Sequence, residues 1–334
     1  MIDYKNIFRI ANKILKIYWG YNIPLKVTQY VTYKCNLNCG FCGRTSIKSE
    51  ELTTAQIMRC IKEFKNLGTE FWGFNGGEPL LREDLGVLIN LCRKLDIRTS
   101  VSTNGTLLPE RINDIKEIDL VLLSIDGPEK IHDEIRGKNT FKKTLMGLEM
   151  LKRKSKRVLI VTVLNKENIP YLNDIIKISE YYNCFCEFQP IFMHRSDKEK
   201  KANRFIPDQM KDAAEYLLKE KKIGRPIANS YPYLNIIKKY PYSKKLICWA
   251  KSFFCVITPD GFVNPCCITL SDENLYKSGL RIGWKNAYSE LPHNKVCEGC
   301  FIFCYCEYNL ILNHPFSSSL RLVENFLKKT WISR

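Results

Sequence analysis

Residues 26–42 read KVTQYVTYKCNLNCGFC, a β-rich run over 26–33 that leads straight into three cysteines, Cys35, Cys39 and Cys42. The strand-then-loop unit recurs downstream. Thr53 or Thr54 can cap an amphipathic helix running to Leu67. Strand-like runs follow at 70–75, 97–102, 119–125, 158–164 and 185–191, with helix-like segments near 83–95, 108–117, 140–154 and 168–182 between them. Six strands alternating with helices predict an α/β fold with a parallel sheet, which right-handed crossovers curl into a partial (β/α)6 TIM-like barrel. Chemistry in such a barrel belongs at the carboxyl ends of the strands, where the loops converge.

The cysteine loop ends the first strand. Three thiolates spaced Cys35-x-x-x-Cys39-x-x-Cys42 can hold three corners of a four-iron cluster and leave the fourth iron open to a chelating ligand, to which it can pass an electron. Phe41, just before the last cysteine, can stack on an adenine. Zinc knots favour paired C-x-x-C units with a tetrahedral complement instead. In this loop the chain resembles the radical S-adenosylmethionine (radical SAM) superfamily, and the resemblance implies the barrel, a [4Fe-4S] cluster on Cys35, Cys39 and Cys42, and bound S-adenosylmethionine.

The next strand ends match further elements of that family. Asn75-Gly76-Gly77-Glu78-Pro79 is similar to its glycine-rich element. Glycines let the backbone approach a ligand, and Glu78 with exposed carbonyls suits the cationic amino group of a methionine moiety. Ser102-Thr103-Asn104-Gly105 and Ser124-Ile125-Asp126-Gly127-Pro128 follow at the third and fourth strand ends. Short polar side chains there can bond a ribose or a carboxylate, so Ser102, Asn104, Ser124 and Asp126 join the expected cofactor residues. Arg136 is the natural bidentate partner for the methionine carboxylate. On the sixth strand, Glu187, Gln189 and Pro190 read either as closing the cofactor or substrate side or as an ordinary strand end, and no catalytic residue is assigned.

A second constellation lies near the C-terminus: Cys248, Gly261, Cys266, then Cys297-x-x-Cys300-x-x-x-Cys304-x-Cys306, with a hairpin turn signal at Pro259-Asp260-Gly261. It resembles the SPASM and twitch extensions that bind auxiliary iron-sulfur clusters, although the spacing after Cys300 is short and no cysteine follows Cys306. A zinc knuckle would also satisfy these spacings. As in twitch domains, Cys248, Cys266, Cys297 and Cys300 would serve one [4Fe-4S] cluster, leaving Cys255, Cys304 and Cys306 spare. The alternative places Cys248, Cys255, Cys266 and Cys306 on one cluster and Cys297, Cys300 and Cys304 on a second with an open iron. Cys60, Cys92, Cys184 and Cys186 read as core packing, and Cys267 is left out because it points away from Cys266 in an extended segment. The expected divisions are a basic amphipathic helix at 1–24, the barrel at 25–193, a linker or helical segment at 194–244, the SPASM/twitch-like domain at 245–310 and an amphipathic tail at 311–334.

With 334 residues, 45% apolar, the chain can bury one large core and a small appendage. Lys5, Arg9, Lys13 and Lys16 break every apolar run that a signal peptide would need, so the 15 cysteines are expected reduced, in the cytoplasm and available to metal. No run of about 18 apolar residues spans a bilayer. The balance of 52 basic against 35 acidic residues, +17, fits nucleic acid, an anionic membrane or a compositional bias. The basic residues are dispersed and no nucleic-acid motif occurs, so no nucleic-acid partner is expected and RNA modification ranks last.

The family resemblance implies reductive cleavage of S-adenosylmethionine to a 5′-deoxyadenosyl radical, hydrogen abstraction from an unactivated carbon, and a flavodoxin- or ferredoxin-type electron donor. For the substrate, the segment ahead of Cys35 is too short for a winged-helix peptide-binding domain. It carries instead a stripe of Lys5, Arg9, Lys13 and Lys16 opposite Ile7, Ile10, Ala11, Ile14, Ile17 and Tyr18. Leu320, Val323, Phe326, Leu327 and Trp331 form a similar stripe beside Arg321, Lys328 and Lys329. Such helices either dock on the barrel or lie on an anionic bilayer. The more distinctive expectation is a lipid or lipid-linked substrate with peripheral contact at the inner face of the membrane; the alternative is maturation of a ribosomally made peptide or protein.

Overall fold

The computed structural model describes residues 4–191, 207–240, 246–267, 273–292 and 300–313. Six parallel strands carry the first part of the chain: β1 (Lys26–Thr32), β2 (Phe71–Gly76), β3 (Arg98–Thr103), β4 (Leu120–Ser124), β5 (Val158–Leu164) and β6 (Phe185–Pro190). Three more follow, β7 (Phe254–Ile257), β8 (Phe262–Asn264) and β9 (Lys277–Ser278). Together they form one sheet in the order β6-β5-β4-β3-β2-β1-β7-β8-β9. The helices are α1 (Tyr4–Tyr18), α2 (Thr54–Asn66), α3 (Leu85–Lys94), α4 (Leu108–Arg111), α5 (Glu129–Arg136), α6 (Thr140–Arg153), α7 (Leu172–Tyr181), α8 (Pro207–Lys222), α9 (Tyr231–Ile237), α10 (Gly279–Ile282), α11 (Trp284–Ser289) and α12 (Phe303–Asn313).

The α/β fold, with its mostly parallel sheet, is the expected one. Of the two threonines ahead of α2, Thr53 is the cap: its hydroxyl accepts from Gln56 N while the Gln56 side chain returns to Thr53 N. Side chains alternate across each strand, which sorts the sheet into two faces. On one face Val27, Trp72, Phe74, Val121 and Ile160 are fully buried in the core. On the other, Thr28 and Tyr30 of β1, Ser100 and Ser102 of β3, and Glu187 and Gln189 of β6 line a cavity. This inner face is far more polar than the outer one.

The cysteine-rich segment joins this sheet. β7 adds to β1 in parallel, pairing Lys26 with Phe254 and Gln29 with Ile257, and then turns into an antiparallel hairpin with β8. Gly261 sits in that turn at φ +85°, as the Pro-Asp-Gly signal predicts. α12 reaches both sides of the barrel: Phe303 N donates to Gln189 Oε1 of β6 at 3.2 Å, and the Tyr305 ring lies 4.6 Å from that of Phe254 on β7.

α1 docks on the barrel. Ile10 and Ile17 are buried, Arg9 pairs with Glu70 at 2.7 Å and Asp96 at 2.6 Å, and Lys13 pairs with Glu70. Tyr18 Oη donates to Leu312 O at 2.6 Å. Arg9 and Lys13 of the basic stripe thus meet acids at the amino ends of β2 and β3, while Phe8, Leu15 and Trp19 stay exposed. The stripe expected at 320–331 lies outside the described residues. Among the described residues no helix is long and apolar enough to cross a membrane.

Candidate active site

The loop after β1 brings Cys35, Cys39, Phe41 and Cys42 to the wall of a cavity of about 790 Å³ at the carboxyl ends of the strands. Cys42 N donates to Cys39 O at 2.9 Å, which closes the loop on itself, and Leu37 N donates to Cys35 Sγ at 3.4 Å. Cys39 lies within electrostatic reach of both Cys35 and Cys42. Burial pushes the Cys39 thiol up to about 11, with the Arg136 guanidinium pulling the other way. Three soft thiols on one cavity wall are a donor set that fits an iron-sulfur cluster.

The glycine-rich element fastens this loop from below. Gly77 N donates to Thr32 O at 2.8 Å and Glu78 N to Lys34 O at 2.9 Å. A Cβ on Gly76, at φ +149°, would lie 2.2 Å from Thr32 O, and one on Gly77 would lie 2.1 Å from Lys34 O. The two glycines are therefore required by the stem of the cysteine loop itself.

Glu78 points beneath the site. Its carboxylate accepts from Thr103 Oγ1 at 2.7 Å, Asn104 N at 2.8 Å and Leu80 N at 3.1 Å, and neither it nor the buried Pro79 lines the cavity. Burial raises Glu78 to about 7 against these hydrogen bonds. It braces the end of β3, where Asn104 Nδ2 donates to Asn36 Oδ1 at 2.9 Å, beside Cys35. Ser102, Asn104, Ser124, Gly76 and Gly77 all reach the cavity. Asp126, expected there too, is fully buried behind it: Val163 N donates to its Oδ1 at 3.0 Å and Arg136 Nε to its Oδ2 at 2.6 Å. Arg136 itself lines the cavity, with its guanidinium carbon 5.6 Å from the centre of the Phe41 ring.

On the other side of the cavity the hairpin and α12 bring C-terminal thiols together. Cys300 shares a hydrogen bond with Cys306 and lies within electrostatic reach of Cys266, as does Cys304. Burial lifts Cys304 to about 12. Cys248 packs half-buried against the core, and Cys297 lies outside the described residues. Cys255 does not join them. On β7 its neighbour Phe254 meets Tyr305, so strand alternation turns Cys255 to the opposite face, among Cys60 and Tyr288, and takes it out of the ligand set. Cys60, Cys92 and Cys186 are buried core residues as expected.

Several cavity residues lie outside the sequence expectation. Arg44 donates to Tyr30 Oη at 3.0 Å, stacks on that ring at 4.2 Å, and is held strongly cationic by Tyr30, Cys267 and Cys42 against its desolvation. Cys267 faces the cavity. Lys26 is buried at its floor, lowered to about 8 by desolvation with Cys304 opposing. The signal that could have found Lys26 is parity, since a charged residue at an inward position of a barrel strand is unusual, whereas Arg44 and Cys267 lie off the strands where parity says nothing.

Residues 30–178 match the Radical SAM superfamily. Over 158 residues the chain is 35% identical to an AdoMet-dependent heme synthase of Oleidesulfovibrio alaskensis, covering 45% of this chain and 41% of that protein, so the chain spans well under two thirds of that relative. Over 320 residues it is 24% identical to an AdoMet-dependent heme synthase of Methanosarcina barkeri, covering 84% and 91%. Among solved structures, Streptococcus suis SuiB bound to its precursor peptide SuiA is similar with a TM-score of 0.65 at 18% identity, covering 95% of this chain and 79% of that one. Native anSMEcpe with bound AdoMet and Cp18Cys peptide has a TM-score of 0.63 at 20% identity, covering 92% and 96%. These two likenesses concern the fold. With the three-cysteine loop at the mouth of a parallel barrel, the family match gives residues 30–178, less than half of the chain, as a Radical SAM domain, a domain that uses a [4Fe-4S] cluster and S-adenosylmethionine.

Proposed function

We propose that this enzyme abstracts hydrogen from a carbon of a peptide substrate seated in the barrel cavity, and that the C-terminal thiols would hold an auxiliary iron-sulfur cluster, a group able to supply one-electron oxidation there. One observation carries the reading: Cys35, Cys39, Cys42 and Arg136 share a single cavity with Cys267 and Cys304 of the C-terminal segment. When bound by the three-cysteine loop, a reduced [4Fe-4S] cluster supplies the electron that splits S-adenosylmethionine into methionine and a 5′-deoxyadenosyl radical. The chain's own residues bind, orient and shield. Arg136, fixed by Asp126, offers its guanidinium to the methionine carboxylate, while Ser102, Asn104 and Ser124 offer hydroxyl and amide groups to the rest of the cofactor. Phe41 and α12 keep water from the reacting carbon.

The clusters sit in the segments proposed as barrel, 25–193, and iron-sulfur domain, 245–310, with a flavodoxin- or ferredoxin-type protein as electron donor. A peptide is favoured over a lipid because Arg9 and Lys13, two of the four basic residues of the N-terminal stripe that motivated a bilayer, are paired with Glu70. The peptide-bound structures of similar fold support the same class. A tetrapyrrole is the second reading, favoured by sequence likeness to proteins named as heme synthases.

The test supplies the reconstituted, reduced enzyme with S-adenosylmethionine and either a pool of synthetic peptides deuterated at side-chain carbons or Fe-coproporphyrin III. Deuterium carried into 5′-deoxyadenosine from the peptides is the expected result. No transfer from peptides, with 5′-deoxyadenosine formation stimulated by Fe-coproporphyrin III, overturns the peptide reading in favour of the second.

A further inference from the structure

Glu187 has no structural use where it stands. It lies on β6 at an inward position, paired through Val161 with the level of Ser124, one of the cofactor-side residues. It lines the cavity at 5% exposure, and its Oε2 is buried with no hydrogen-bond partner. Leaving a carboxyl oxygen so is costly, on the order of 1–3 kcal/mol or more, unless something else completes it. Its surroundings point to a cation. Burial and the nearby Glu307 push Glu187 well above the usual carboxylate range, which an arriving cation would reverse, and Tyr305 and Tyr308 line the same cavity. The Lys26 ammonium lies beside Gly73, where an added Cβ would meet it at 3.0 Å and Ser100 Oγ at 3.2 Å.

We propose that Glu187 anchors the substrate by receiving a primary ammonium group, so that the molecule giving up hydrogen carries an amine, as a basic peptide side chain does. The proposal rests on reading this cavity as the substrate site. A buried carboxyl group that ionises to meet an ammonium binds it through a charge-assisted hydrogen bond, and aromatic rings lining the same cavity can add their quadrupole attraction. Burial at this depth then fixes the distance between the amine and the carbon that reacts beside Ser124.

The experiment uses the reconstituted full chain with S-adenosylmethionine and n-butylammonium as the probe, with n-butyrate and n-butanol as controls, read by calorimetry. Wild type is expected to bind n-butylammonium saturably and neither control. Glu187→Gln is expected to weaken that binding at least tenfold, to melt no lower than wild type because it removes a buried unpaired acid, and to keep the 5′-deoxyadenosine formed without substrate. No saturable binding to wild type, equal affinity in Glu187→Gln, or equal binding of n-butanol overturns the proposal. Loss of folding in both Glu187→Gln and Glu187→Leu also overturns it, by making Glu187 a structural residue. Failure of the wild type to cleave S-adenosylmethionine is a separate outcome: it sinks the radical mechanism while leaving the ammonium measurement to stand or fall by itself.

Discussion

At Glu78, desolvation and three hydrogen bonds pull in opposite directions, and desolvation wins, raising the carboxyl from 4.5 to about 7. The folded state therefore holds a proton that the unfolded state releases between those values. Stability from this group is full below about 4.5 and is lost as pH rises through about 7, a change on the order of 2–3 kcal/mol. We expect Glu78→Gln to flatten that slope in urea unfolding at pH 5 and pH 8; an undiminished slope would assign the proton elsewhere. A neighbouring test is Gly77→Ala. Its new methyl would meet Lys34 O at 2.1 Å, so the variant should lose about 1–3 kcal/mol and part of the iron held by the cysteine loop. Wild-type melting and iron content would show that the stem can move aside. The motif around these residues told where the chain turns, but not which way Glu78 and Asp126 face, because that depends on Thr103, Asn104 and Arg136 arriving from later in the chain.

Among the elements, α1 shows how far periodicity carries. The isoleucine stripe and the basic stripe are both legible, yet a lipid headgroup and an acidic barrel floor ask for the same pattern. Glu70 and Asp96, distant in sequence, take up Arg9 and Lys13 of that stripe. Replacing Arg9 and Lys13 together by Ala leaves Glu70, 3% exposed, with Lys65 as its one ion-pair partner among the described residues, and should cost about 2 kcal/mol in urea unfolding, less than a fully buried pair because Arg9 is 38% exposed. An unchanged midpoint would mean that α1 does not dock through these charges. The six barrel strands and the β7–β8 hairpin were readable because alternation and turn residues act locally. The role of Cys255 was not: cysteine spacing is blind to strand parity, which is set once β7 pairs with β1. Cys300→Ala should lower the iron bound by the C-terminal segment while Cys255→Ala leaves it unchanged, and iron loss in Cys255→Ala would return that residue to the ligand set.

On the scale of the whole molecule, a single sheet joins the two cysteine regions through the β1–β7 pairing, and one cavity opens to both. The six-stranded barrel positions the loop and the strand ends, and the hairpin with α12 brings the second group of thiols to the opposite wall. Cleavage of S-adenosylmethionine in that cavity is the central claim. The most direct measurement is 5′-deoxyadenosine formation by the anaerobically reconstituted, reduced full chain, compared with the variant carrying Cys35→Ala, Cys39→Ala and Cys42→Ala. The account predicts steady formation by the wild type and none by the variant, whose C-terminal iron remains. Equal formation by both proteins, or none by an iron-loaded wild type, would contradict it.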